Sequence, residues 1–141
     1  MRAAVVSDAA ATRPLTSSHG ARTVSRVLVA EDEPDIRVLA RLLLEMAGHD
    51  VVEAADGDAA LDLLSIDDAI DVVLLDLRLP GRDGWQVMAE LQTMPRATAV
   101  RVVVFSAQLE PRDYDRAAQS GAVAYLSKPF TEDALLAAVE G

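Results

Sequence analysis

The chain has 141 residues and a mass of 15.0 kDa, the size of one ordinary domain and too little for two unless both are minimal. Its formal charge of −10 argues against non-specific nucleic-acid binding, which depends on clustered Lys and Arg, so free DNA or RNA is not an expected partner. It has no cysteine and hence no disulfide, thiolate metal site or thiol nucleophile, and no apolar run approaches the roughly 20 residues that cross a bilayer. A soluble protein of a reducing compartment, the cytoplasm, is expected, with no membrane partner.

Residues 1–25 are rich in Ala, Ser, Thr and Arg, carry Pro14 and Gly20, and show no sustained period. Such a stretch cannot bury enough surface to offset its own ordering and is expected to be a flexible tail. A targeting peptide fits less well, because Asp8 interrupts the basic pattern and no secretory apolar segment follows Arg2. One domain over residues 26–141 is expected to follow.

From Arg26 onward, short β-branched runs alternate with helical patterns, the rhythm of repeated βα units on a parallel sheet. The first strand is Arg26–Ala30. The helix after it, Pro34–Ala47, carries Ile36, Leu39, Ala40, Leu43 and Ala47 at spacings of three and four, with Pro34 in its first turn and Gly48 as its stop. Then come strand Asp50–Glu53, the weakest of the set, helix Asp58–Ser65, strand Val72–Leu75, helix Gly84–Gln92, strand Val100–Phe105, helix Pro111–Ser120 and strand Val123–Leu126. Helix Thr131–Val139 closes the pattern, with Thr131 as cap and Glu132 and Asp133 suited to its positive end. Most strand runs are apolar throughout, as when helices cover both sheet faces. Right-handed crossovers then predict an α/β fold, a doubly wound five-stranded parallel sheet in a three-layer α/β/α sandwich.

Ligands of such folds sit at the carboxyl ends of the strands, and here those ends are polar. The first strand runs into Glu31-Asp32-Glu33, the third into Asp76, the fourth into Ser106 and the fifth reaches Lys128. Polar strand ends are ordinary one at a time, and Ser106 and Glu33 alone would mean little. Asp76, however, follows Val72-Val73-Leu74-Leu75 and precedes Leu77, surroundings in which an uncompensated carboxylate is expensive. Glu31 and Asp32 worsen the repulsion unless a divalent cation lies among them, and hard oxygen ligands point to Mg²⁺. Lys128 offers a fixed positive charge and Ser106 a hydroxyl, both suited to phosphoryl oxygens, which leaves Asp76 as the nucleophile. In the strand order 2-1-3-4-5, strands one and four flank Asp76, and the long stem of Lys128 spans most of the roughly 10 Å from the fifth strand.

With these residues in place, the chain resembles the response-regulator receiver family, CheY-like proteins of two-component signalling, from Arg26 to about Val139. The likeness rests on Val27-Leu28-Val29-Ala30-Glu31-Asp32-Glu33, on Val73-Leu74-Leu75-Asp76-Leu77-Arg78-Leu79-Pro80-Gly81-Arg82-Asp83-Gly84, on Val104-Phe105-Ser106-Ala107 and on Tyr125-Leu126-Ser127-Lys128-Pro129-Phe130. The resemblance implies a signalling switch rather than a conventional enzyme. Asp76 would accept a phosphoryl group from a histidine kinase or histidine phosphotransfer protein. Asp32, Asp76 and the backbone carbonyl of Arg78 would hold Mg²⁺, with Glu31 acting largely through water, and Ser106 and Lys128 would bind the phosphoryl oxygens. Ser106 and Tyr125 would form the switch, and the peptide bond Lys128-Pro129 would be cis. Glu31 and Ser106 stand where many family members have Asp and Thr, substitutions that keep the required groups and predict altered rates with retained chemistry. Arg78, two residues after Asp76, would be a further contact of the phosphoryl group.

The remaining residues carry weaker signals. Trp85 reads as packing for its helix, and His19 and His49 lack the spacing of metal ligands and read as bystanders. A haloacid-dehalogenase-type phosphatase would need a second carboxylate where Arg78 stands, and a nucleotide-binding module would need glycines where Glu31-Asp32-Glu33-Pro34 stands. The alternative that survives is a degenerate receiver acting only as a protein-binding module. With no second domain after Gly141, output is expected through an unidentified protein target, as in a stand-alone receiver of a phosphorelay.

Overall fold

A computed structural model describes residues 24–107 and 109–141. Except for its last two residues, the expected tail lies outside the described residues, as does His19. Five parallel strands, β1 (Arg26–Ala30), β2 (Asp50–Ala54), β3 (Val72–Asp76), β4 (Arg101–Ser106) and β5 (Ala122–Ser127), form one sheet in the order β2-β1-β3-β4-β5. This is the order expected from the sequence. Between them run α1 (Pro34–Met46), α2 (Gly57–Ile66), α3 (Gly84–Gln92), α4 (Pro111–Gln119) and α5 (Glu132–Glu140). A single 3₁₀ turn at Ala97–Ala99 before β4 was not expected.

Side chains alternate across a strand, so each strand feeds two cores. Leu28, Ala30, Val73, Leu75, Val102 and Val104 face one way and pack with Leu61, Leu64, Val87, Met88 and Leu91 of α2 and α3. Val27, Val29, Val72, Leu74, Val103 and Phe105 face the other way and meet Ala40 and Leu44 of α1 and Leu135, Ala138 and Val139 of α5. The two clusters make the outer layers of the sandwich adhere to one sheet, which fixes where every strand ends. β2 was the weakest strand in the sequence for a physical reason: it is an edge strand, and three of its five residues are only half buried.

Helix entry is set by local chemistry. The Asp56 carboxylate accepts from the Ala59 backbone N–H at 2.7 Å, Asp83 and Gln86 form a capping box at α3, and the Thr131 hydroxyl oxygen accepts from the Ala134 N–H at 3.1 Å, each satisfying an otherwise orphaned donor. Gly48, with φ of +98°, ends α1 in a conformation that disfavours any other residue.

Two features were illegible beforehand. His49, read as a bystander, is buried: its Nδ1 accepts from the Ser25 backbone N–H at 3.0 Å, so Nε2 carries the proton and donates to the Glu140 carboxylate at 2.8 Å. The imidazole thereby ties the chain entering β1 to the end of α5. Arg101 reinforces that end by donating to the carbonyls of Val139 at 2.6 Å and Ala138 at 3.3 Å, and burial lowers its pKa.

Gly84 lets the segment after β3 fold back on itself. A Cβ there would lie 2.6 Å from the Asp76 carbonyl oxygen and 2.6 Å from the Leu77 Cα, both backbone atoms that cannot step aside. Gly84→Ala is therefore expected to cost about 1–3 kcal/mol, read as a lower urea midpoint at an unchanged m-value.

Candidate functional site

The sequence-predicted residues converge at the carboxyl edge of the sheet. Glu31 and Asp32 leave β1, Asp76 ends β3, Ser106 ends β4 and Lys128 follows β5. Strand pairing places them: Ala30 stands opposite Leu75, Asp76 opposite Phe105 and Ser106 opposite Ser127. Glu31, Asp76 and Ser106 are at most 4% exposed, so their polar groups must find partners within the protein.

Lys128 supplies the central partner. Its ammonium donates to Glu31 Oε1 and, at 3.2 Å, to Asp76 Oδ2. The expected reach from the fifth strand is thus realised, but toward two carboxylates rather than one. Asp76 Oδ1 also accepts from the Arg78 backbone N–H at 2.9 Å, and Glu31 Oε2 from the Glu33 N–H at 3.0 Å. Burial raises the pKa of Glu31 above the ordinary carboxyl range, against the opposing pull of the Lys128 hydrogen bond. Arg37 holds the turn from below, donating to the Glu31 carbonyl at 2.8 Å and to Glu53 at 2.9 Å, a role that no motif advertises.

One carboxylate oxygen from each of Glu31, Asp32 and Asp76 lies within 4.8 Å of the other two. Mg²⁺ binds oxygen ligands at about 2.1 Å and so places them up to about 4.2 Å apart, close to the spacing of these oxygens. Three carboxylates against one ammonium leave a net charge of −2, and the donors are all oxygen. The residues present therefore fit a small hard dication. The acidic cluster is of the kind that receiver domains use for Mg²⁺.

Asp32 and Asp76 of this cluster line a cavity of about 550 Å³ whose polar lining also includes Arg78, Ser106 and Lys128, and whose apolar wall includes Ile36, Leu39 and Phe130. Ser106 thus lines the same cavity as Asp76, and its carbonyl accepts the Lys128 backbone N–H at 3.0 Å. Tyr125 is not part of this lining. Its hydroxyl donates to the Tyr114 carbonyl at 2.9 Å, and the two rings meet edge to face with centroids 4.9 Å apart. Desolvation raises the Tyr125 pKa, with Asp115 and Tyr114 acting in the same direction. The Lys128-Pro129 peptide bond is cis. Trp85 packs against the core as expected, with the Arg116 guanidinium 3.9 Å above its ring.

The segment joining Asp76 to α3 is anchored on α2. The Gly57 N–H donates to the Pro80 carbonyl at 3.3 Å, and Arg82 pairs with Asp58 at 3.3 Å. Phe105 was not singled out as a site residue, yet its ring lies 4.6 Å from the Lys128 ammonium. Its only sequence signal was adjacency to Ser106.

Comparison with known proteins gives a consistent picture. The family model for the response regulator receiver domain matches residues 27–140. Among curated proteins, the chain is 37% identical over 114 residues to the DNA-binding dual master transcriptional regulator RpaA of Synechocystis, covering 81% of this chain and 47% of that protein. It is 37% identical over 127 residues to the transcriptional regulatory protein PdtaR of Mycobacterium tuberculosis, covering 89% of this chain and 60% of the relative. The chain thus spans about half the length of the curated relatives it matches. Among solved structures, chemotaxis response regulator CheY4 of Vibrio cholerae superposes with a TM-score of 0.75 at 26% identity, covering 81% of this chain and 94% of that one. A Francisella response regulator receiver domain gives 0.73 at 30% identity, with coverages of 79% and 90%.

Proposed function

This chain belongs to the response regulator receiver family, and from that premise we propose that Asp76 takes a phosphoryl group from a histidine kinase or a histidine phosphotransfer protein. Receiver domains pair with histidine kinases as a class. The observation that carries the reading is a buried carboxylate at a strand end, facing an open cavity, with an ammonium at 3.2 Å and two further carboxylates beside it.

In the reaction, a carboxylate oxygen of Asp76 forms the new O–P bond while the P–N bond to the donor imidazole breaks, its electron pair staying on that nitrogen. With acetyl phosphate the P–O bond breaks and acetate leaves. Lys128 and the Ser106 hydroxyl take the phosphoryl oxygens, which carry the charge that develops in transfer. Asp32, Asp76 and the Arg78 carbonyl would hold Mg²⁺, with Glu31 acting through water. The chemistry such an ion would supply is charge neutralisation, for the phosphoryl oxygens and among the carboxylates. The acyl phosphate adds about −1.5 to −2 of charge. That charge draws Ser106 toward it and Tyr125 away from the Tyr114 carbonyl, and so remodels the surface of α4, β5 and α5. The signal then passes to a protein target by contact.

The test is mass spectrometry after incubation with acetyl phosphate. One phosphoryl group is expected in the presence of Mg²⁺ and none in EDTA; no labelling under either condition would favour a module that only binds protein. Mg²⁺ alone is also expected to raise the melting temperature of the unlabelled protein, by about 2.7 kcal/mol of stability at a hundredfold excess over Kd, with EDTA reversing it.

A further inference from the structure

Phe105 belongs to the core by burial, being fully inaccessible and packed with Val29, Leu74 and Val103. It also has a second contact that packing does not require: the Lys128 ammonium lies 4.6 Å from the centre of its ring. Phe130 meets that ring edge to face with centroids 5.5 Å apart and planes at 63°, which restrains its orientation. In the neighbouring strand Phe105 stands directly opposite Asp76.

We propose that Phe105 is a positioning residue for phosphoryl transfer, its ring face holding the Lys128 ammonium at the site without consuming any of its hydrogen-bond donors. An ammonium has three N–H groups. Two are directed at Glu31 and Asp76, leaving one for an incoming phosphoryl oxygen. A third polar partner would occupy that donor, whereas an aromatic face attracts the charge through its quadrupole and leaves the donor available. Leu or Val at the same position would fill the core but offer no such attraction. The proposal rests on Lys128 meeting the phosphoryl group, as set out above.

The test separates shape from electrostatics. Fluorine drains electron density from a ring face while changing its size little, so 4-fluoro-, 3,5-difluoro- and 3,4,5-trifluorophenylalanine are introduced at position 105 alone by codon suppression in the full chain. Labelling by acetyl phosphate with Mg²⁺ is expected to slow stepwise with each fluorine, by about tenfold in total, within the range that a desolvated cation–π contact supports. The melting temperature should stay nearly constant. Phe105→Leu is expected to slow labelling about as much, but it can also loosen the core, and the fluorinated series keeps the proposal falsifiable if it does. Rates independent of fluorination, or rates that merely follow a falling melting temperature, would overturn it. In parallel, NMR should show the Lys128 ε-methylene protons shifted upfield by the ring and returned to ordinary positions in Phe105→Leu; an unshifted resonance in the natural protein also overturns it. That shift is read without phosphate, so absence of labelling in the natural protein sinks the phosphoacceptor reading while the Phe105 contact is still decided.

Discussion

Asp76→Asn is expected to abolish phosphoryl labelling while leaving the fold intact. The amide is nearly isosteric, and its oxygen can still accept the Arg78 backbone N–H that Oδ1 now accepts at 2.9 Å. What it lacks is the charged oxygen that, in the proposed reaction, attacks phosphorus. It also removes one of the three carboxylates that converge within 4.8 Å, so the affinity for Mg²⁺ should fall together with labelling. Urea unfolding in the absence of the ion should change little, since one charge of a crowded acidic cluster is lost along with one partner of Lys128. The check is intact-mass measurement after acetyl phosphate treatment, beside an unfolding curve; labelling that persists in the variant would remove Asp76 from its role.

Lys128→Met should have the largest effect on stability. The side chains of Glu31 and Asp76 are 0% and 6% exposed, and that of Lys128 is 13% exposed. Without the ammonium, two desolvated carboxylates face one another, and removing one partner of such a buried arrangement costs about 3 kcal/mol or more at neutral pH. The pH dependence follows from Glu31, whose pKa burial already raises and which loses its main opposing influence in the variant. A folded state that binds a proton more readily than the unfolded chain loses stability as pH rises through the folded pKa, and regains it as pH falls toward the ordinary carboxyl value. The deficit of Lys128→Met should therefore be widest at neutral pH and narrow on acidification. Added Mg²⁺ should narrow it too. Urea midpoints at neutral and mildly acidic pH, with and without the ion, provide the measurement; a deficit unchanged by both would contradict the pairing.

Much of this was legible in the chain because a doubly wound sheet buries its strands on both faces, turning Val72-Val73-Leu74-Leu75 and Val102-Val103-Val104-Phe105 into uninterrupted apolar runs. The same cue clipped the strand ends. β3, β4 and β5 continue to Asp76, Ser106 and Ser127, since a polar side chain does not prevent its backbone from joining the ladder. The residues at the carboxyl edge of the sheet could be read because charge and hydroxyl interrupt apolar runs there. The direct bond between Lys128 and Glu31, residues 97 positions apart, could not, nor could the His49–Glu140 contact across 91, because no local period encodes pairing at that range. The same holds for the end of the last helix, which Arg101 and His49 close while Leu135, Ala138 and Val139 bury its face.

The most direct measurement is chemical location of the phosphoryl group. An aspartyl phosphate is an acyl phosphate, and borohydride reduces it to homoserine, which peptide mass spectrometry assigns to a position. Homoserine at residue 76, formed only after acetyl phosphate and Mg²⁺ treatment, is the predicted result. Reduction at a different carboxylate, or a phosphoryl group that resists borohydride as a serine or histidine adduct would, contradicts the account.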